Sequence, residues 1–237
     1  MLSHMHPKIS LCAPLLLAAA LCACQSNAPR EGQRPPAQPY RENLGSGTLY
    51  MLDPSASKTL IYVFRGGAAA SRGHNHVLNA PSFEGRVLLA GEEAAKASFS
   101  LCFRFDQLQL DWDALRSSVG GNFSTPRSEQ DIADTRRNML KSLDAGQYPE
   151  LVINSVRIAG DWPVLIADVD VSLHGVSHRQ TVMLKVQHSD DQLVADGQLV
   201  LRQSDFGIKP LSVLGGLLAV QDEIAVEFEL VGNRIGN

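Results

Sequence analysis

Residues 165–173 read Leu-Ile-Ala-Asp-Val-Asp-Val-Ser-Leu, a run with a period of two. Leu165, Ala167, Val169, Val171 and Leu173 share one face, and Asp168, Asp170 and Ser172 share the other. Successive side chains of a strand point to opposite faces, so this pattern predicts antiparallel sheet with one buried and one wet side. Residues 97–105 repeat it: Ala97, Phe99, Leu101, Phe103 and Phe105 oppose Ser98, Ser100, Cys102 and Arg104. So does 224–230, where Ile224, Val226, Phe228 and Leu230 oppose Glu227 and Glu229. Strands are predicted near 48–53, 59–65, 84–90, 97–109, 150–159, 164–173, 180–188, 193–203 and 222–231. So many in series predict an all-β barrel or sandwich. A slip of one residue would expose a whole apolar face, so the pattern also pins register.

One helix interrupts the sheet. Ser128 can cap it, and Glu129 and Asp131 in the first turn suit the positive end of its dipole. Ile132, Met139, Leu140 and Leu143 form a narrow stripe, Asp134, Arg136, Arg137 and Lys141 lie mostly opposite, and Gly146 then Pro149 stop it. Such a stripe predicts a helix laid against a barrel. The connection 209–221 (Lys-Pro-Leu-Ser-Val-Leu-Gly-Gly-Leu-Leu-Ala-Val-Gln) is unusually apolar, and Gly215-Gly216 would let it move. It is expected to be a lid over a barrel opening, with Leu214 and Leu217 facing the interior.

The front of the chain changes the picture of where this domain sits. Lys8 is a basic n-region and Leu11 to Ala20 a short apolar h-region, too short for a permanent membrane span. Leu21-Cys22-Ala23-Cys24 resembles a bacterial lipobox, which implies cleavage after residue 23 and acyl chains such as palmitate on Cys24. Gln25, not Asp, follows that cysteine, which resembles outer-membrane sorting. The expected organisation is a signal peptide at 1–23, a lipidated Pro-rich disordered tether at 24–47 and a single domain at 48–237, exposed to the periplasm. Without residues 1–23 the chain has 237 − 23 = 214 residues, and losing Lys8 moves its formal charge from −4 to −5. That balance gives no footprint for nucleic acid. With two cysteines upstream of the cut and Cys24 acylated, Cys102 is alone in the domain and an intrachain disulfide is excluded; its strand pattern places it outward.

Six short segments in order carry a resemblance to a known family. They are Tyr50-Met51-Leu52-Asp53, Phe83-Glu84-Gly85, Arg136-Arg137-Asn138-Met139-Leu140, Tyr148-Pro149-Glu150-Leu151-Val152-Ile153, Leu173-His174-Gly175-Val176-Ser177 and Arg202-Gln203-Ser204-Asp205-Phe206-Gly207-Ile208. Across 48–231 the chain resembles the YceI-like family of periplasmic proteins. The resemblance implies an extended lipocalin-like antiparallel β-barrel with one α-helix, whose interior holds a polyisoprenoid chain such as a quinone tail. The expected cavity residues are Phe99, Leu101, Phe103, Phe105, Val169, Val171, Val226 and Phe228, with Leu214 and Leu217 from the lid. Side by side these supply apolar area with no polar group to desolvate. Taken singly, each of them reads as ordinary packed core, and the cavity is what the resemblance implies.

The chain departs from the family ahead of Phe83, where a His-Leu-Gly stretch is usual. Here stand Ala68-Ala69-Ala70 and then Arg72-Gly73-His74-Asn75-His76. Two imidazoles two residues apart on a strand share a face and suit Zn, Cu or Ni, so His74 and His76 are the candidate metal ligands. The alternative is that His74 and Asn75 bond backbone groups at a tight turn. His174 and His178 are expected at the surface beside a hairpin. Ser204-Asp205 has no nucleophile elbow, Asp205 being expected to satisfy backbone donors at a bend; no arrangement supports turnover, and the chain is expected not to be an enzyme. Arg136 and Arg137 are expected on a solvated helix face, with a quinone head group or a phosphate as the alternative contact.

Three functions follow: a lipid-anchored carrier or sensor of an isoprenoid-type lipid, a His-based metal-binding protein, and a solid-barrel envelope interaction protein. No cofactor is required by the first. Its partners are a long-chain lipid, the membrane through the anchor, and an envelope protein or a second copy of the chain.

Overall fold

A computed structural model describes residues 34–236. The alternating segments form strands β1 (Thr48–Leu52), β2 (Lys58–Gly66), β3 (His76–Asn79), β4 (Glu84–Leu89), β5 (Ala97–Arg104) and β6 (Gln109–Leu110). After helices α1 (Asp113–Val119) and α2 (Glu129–Ser142) come β7 (Glu150–Asp161), β8 (Val164–Leu173), β9 (Val176–His188), β10 (Gln192–Arg202), β11 (Ser212–Val213) and β12 (Leu218–Arg234). All pairings are antiparallel. The order β1–β4–β5–β7–β8–β9–β10–β12 returns to β1, because Tyr50, Met51 and Leu52 pair with Arg234, Asn233 and Gly232. Eight strands therefore close a barrel. β2, β3 and β6 continue the wall from the earlier part of β12.

Alternation decides which side faces in. Leu165, Ala167, Val169, Val171 and Leu173 are all buried, while Asp168 and Asp170 on the outer face pair with Arg157 and Arg179. In β7 the register shifts between Ser155 and Arg157. This bulge at the exposed Val156 reverses parity, so that Ile153 and Ile158 both face inward. The two-residue turn after β8 uses His174 at φ +53° and Gly175 at φ +79°, the positive values a tight hairpin needs. A Cβ on Gly175 would lie 2.6 Å from the Tyr148 ring, which fills that space.

Three expectations are corrected. The strand predicted over 97–109 ends at Arg104, because Phe105–Gln107 form a turn that carries the chain into β6. The segment 209–221 is not a lid. Ser212 and Val213 pair with Ala219 and Leu218, and Leu214, Gly215 and Gly216 take positive φ to make the turn. Leu214 and Leu217 consequently point to solvent, 71% and 49% exposed.

The third correction concerns the tether, of which residues 34–47 are ordered against the barrel. They cross its outer face strand by strand. Ala37 N–H donates to Gly175 O, and Ser177 N–H to Pro35 O. Gln38 N–H bonds Ser172 Oγ, Asn154 Nδ2 donates to Pro39 O, and Arg41 N–H bonds Ser100 Oγ. Prolines lack a donor but keep their carbonyls, and outward Ser and Asn side chains satisfy this strap in place of a ladder. Cys102 lies on the same outer face and is buried, not exposed. Burial, with Glu150 beside it, pushes its thiol up to about 12. The expectations for residues 1–33, Cys24 included, lie outside the described residues.

Candidate ligand-binding lumen

The barrel interior is neither solid nor wide. It encloses a cavity of about 170 Å³ lined by apolar side chains, with Thr59 as the polar exception. Thr59 Oγ1 accepts from the Ala80 N–H, so even this hydroxyl is satisfied within the wall. Phe99, Leu101, Phe103 and Phe105 face the cavity from β5 and the turn after it; Val169 faces it from β8, and Val226 and Phe228 from β12. Phe83 stacks on Phe103 with ring centres 5.0 Å apart. Three expected residues are elsewhere. Val171 is fully buried but lies one rung past the lining, toward the turn where Phe206 fills the interior. Leu214 and Leu217 are on the exposed hairpin. Ala80 and Ala195 are lining positions the sequence did not single out, and Ala97 was read as inward without being counted in the cavity; their small side chains are what leaves room.

One end of the lining, at Phe105 and Leu108, meets α2. Ser128 and Asp131 form a reciprocal capping box that fixes the start of this helix. Ile132, Met139, Leu140 and Leu143 pack on the core. Arg136 donates to the carbonyls of Leu108 and Asp106, tying the helix to the barrel, while exposed Arg137 pairs with Asp134. Trp162 lines the cavity from the β7–β8 turn, and its Nε1 donates to Glu92 O in the β4–β5 loop.

The histidines divide between two environments. His74 and His76 have ring centres 6.3 Å apart, yet His76 Nδ1 donates to Asp111 Oδ2 at 2.6 Å. Asp111 is buried, with φ +53°, and its Oδ1 accepts from the Val77 N–H and from Arg116 Nη1. Arg127 donates to the Asp111 carbonyl and to Asp113. Asn75 Oδ1 accepts from the Arg65 N–H, and Arg116 donates to Asn75 O, so this residue anchors the turn. Burial pushes the Asp111 carboxyl up, but the His76 ring, the Val77 N–H and Arg116 outweigh it and hold it below the usual carboxylate value. Among the described residues no group of three His, Cys, Asp or Glu side chains is placed to hold a metal ion. The sequence reading missed Asp111, Arg116 and Arg127, which lie 35–51 residues from His76 and follow no local motif.

His178 is half-buried beside Phe206, 5.9 Å between ring centres, and shares a hydrogen bond with Gln180. His174 contacts Tyr148 and bonds Phe206 O. Ser204 bonds Asp222 through its N–H and hydroxyl, so Asp222, not Asp205, takes the donors at that bend.

A YceI-like domain model matches residues 50–232, more than three quarters of the chain. The chain belongs to the YceI-like family. The fold is shared with the Burkholderia cenocepacia protein BcnA, at 16% identity and a TM-score of 0.54 over 76% of this chain and 98% of that one. It is shared equally with a Saccharophagus degradans domain described as polyisoprenoid-binding and implicated in plant cell wall breakdown. There identity is 14% and the TM-score 0.54, over 78% of this chain and 98% of the other. No curated protein matches the sequence. The YceI-like corner is visible at Gly85, where a Cβ would stand 2.5 Å from Leu52 Cδ1. Tyr50 of the opening YceI-like motif is buried and donates to Ser189 O, which locks β1 to the β9–β10 turn.

Proposed function

We propose that this protein binds an isoprenoid-type lipid, such as a quinone tail, inside the barrel, and acts as a carrier or sensor on the periplasmic side of the envelope. The observation that carries this reading is the continuous apolar lining of the lumen. An apolar cavity of about 170 Å³ costs about 4 kcal/mol if left unfilled, at roughly 24 cal/mol per Å³, so an apolar occupant is strongly favoured there. A cavity near 150 Å³ takes a benzene-sized group, so this lumen holds about one five-carbon unit as it stands. A longer chain enters as lining side chains change rotamer. The polyisoprenoid-binding relative supports the same ligand class. Acylation at Cys24 would keep the barrel at a membrane where such lipids dissolve.

The test is native mass spectrometry of the chain expressed with its own leader, repeated after denaturation. A bound mass that leaves on unfolding and differs between molecules by five-carbon increments is the expected result. A bare polypeptide from cells rich in isoprenoid lipids would sink the proposal. A second reading, an envelope interaction protein, draws on the exposed Val213, Leu214 and Leu217 of the β11–β12 hairpin. Removing residues 212–217 would then abolish partner recovery and leave lipid content unchanged.

A further inference from the structure

The barrel wall has a seam that its topology does not require. β9 and β10 pair from Leu193↔His188 only as far as Gly197↔Leu184. β9 continues along β8 to Val176↔Leu173, and β10 along β12 to Arg202↔Glu223. Among the described residues, Gln180–Met183 and Gln198–Arg202 thus have no ladder to each other. The inner sides of this slot are lumen residues: Val182 on β9, Leu199 and Leu201 on β10. Its outer sides are exposed, and two of the positions are apolar, Met183 at 66% and Val200 at 54%. Val164 and Ile166, exposed on the neighbouring β8, extend this apolar margin. Toward the far end of the slot, His178 and Gln180 supply a polar pair opposite Val171 and Val169.

The start of the strap closes that end. Arg34 donates to Ser204 O in the turn after β10, and Pro35–Ala37 bond Gly175 and Ser177 at the start of β9. Arg34 is only ten chain steps from Cys24. At roughly 3.5 Å per residue, an acyl chain on Cys24 would hold this end of the slot within about 35 Å of the bilayer.

We propose that the seam between β9 and β10 is a lateral portal through which an isoprenoid-type chain passes between the membrane and the lumen, its polar head held at the His178–Gln180 rim. This rests on the lumen-binding function proposed above. A chain leaving a bilayer by this route is covered at once by Met183, Val200 and the apolar margin of β8, with little exposure to water.

The test bridges the slot in the full acylated chain in phosphatidylcholine vesicles. Thr181→Cys and Val200→Cys, which would face each other if the register continued, are joined by a bismaleimide with a reducible disulfide in its bridge. A Trp112→Phe background leaves Trp162, on the lumen lining, as the single tryptophan. Uptake of dansylated farnesol is followed by energy transfer from Trp162. Bridged protein is expected to load at least ten-fold more slowly and to recover on reductive cleavage, a recovery that excludes misfolding. Equal rates before and after cleavage would overturn the portal and leave lumen binding intact. Energy transfer missing from the unbridged protein as well would overturn lumen binding, and the portal with it. The Gln180→Leu and His178→Leu variants, expected to hold dansylated farnesol at least five-fold more weakly, would by unchanged affinity remove the rim from the portal.

Discussion

Asp111 shows how one residue can hold a segment whose local sequence suggests another role. A buried carboxylate costs several kcal/mol in desolvation unless charged partners compensate, and here His76, Arg116 and the Val77 N–H do so. Asp111→Asn removes the charge and leaves Arg116 buried without its counter-ion; the expected loss is about 3–5 kcal/mol of unfolding free energy, read from urea midpoints. A loss under 1 kcal/mol would show that the network contributes little. Its pH dependence has a definite sign. The folded-state pKa lies below the unfolded one, so the stabilisation is complete above the usual Asp range and fades as pH falls through the folded value. Urea midpoints should therefore drop below about pH 4 in the native chain and drop less in Asp111→Asn. Cys102 gives a second residue-scale expectation. With its thiol pushed up to about 12, it should resist thiol reagents at pH 8 until the protein unfolds.

At the scale of elements, the strap carries the clearest expectation. Asn154 is fully buried on the outer face, accepting from Ser100 Oγ and donating to Pro39 O. Asn154→Ala leaves both partners without it, at an expected cost of about 1–3 kcal/mol. Faster exchange of amides in residues 37–41 should accompany that loss; unchanged exchange would mean the strap is held elsewhere. The strap also marks where sequence reading fails. Its proline-rich composition correctly excludes a core-forming element, but not an ordered segment satisfied by Ser100, Asn154 and Ser172 of distant strands. The long strands were legible because one wet face and one dry face impose a period of two. The short ones were not: β3, β6 and β11 span two to four residues, too few for a period to declare itself. Helix α1 is a seven-residue turn placed by its buried Arg116, a contact made with Asp111 and not encoded by any stripe.

For the whole molecule, the question is what keeps the interior from collapsing, and that depends on side-chain volume summed over many strands. Alternation identified Phe99, Phe103 and Phe228 as inward but could not say whether they meet, since the width of the lumen is set by strand number and tilt. The alanines at 80, 97 and 195 are what remain unfilled, and alanine reads as unremarkable in a strand. Ala195→Leu and Leu199→Ala test this from opposite sides. Ala195→Leu adds three carbons to the cavity, worth about 0.8 kcal/mol per buried methylene if they fit, and should raise the melting temperature by a few degrees while halving bound lipid or more. Leu199→Ala should cost about 2–5 kcal/mol in delipidated protein and regain part of that when lipid is added, because the occupant fills what the side chain left. Melting curves with and without lipid distinguish a cavity shaped for a ligand from incidental imperfect packing. In a binding lumen the two substitutions respond to lipid in opposite directions; in a merely loose core neither responds at all.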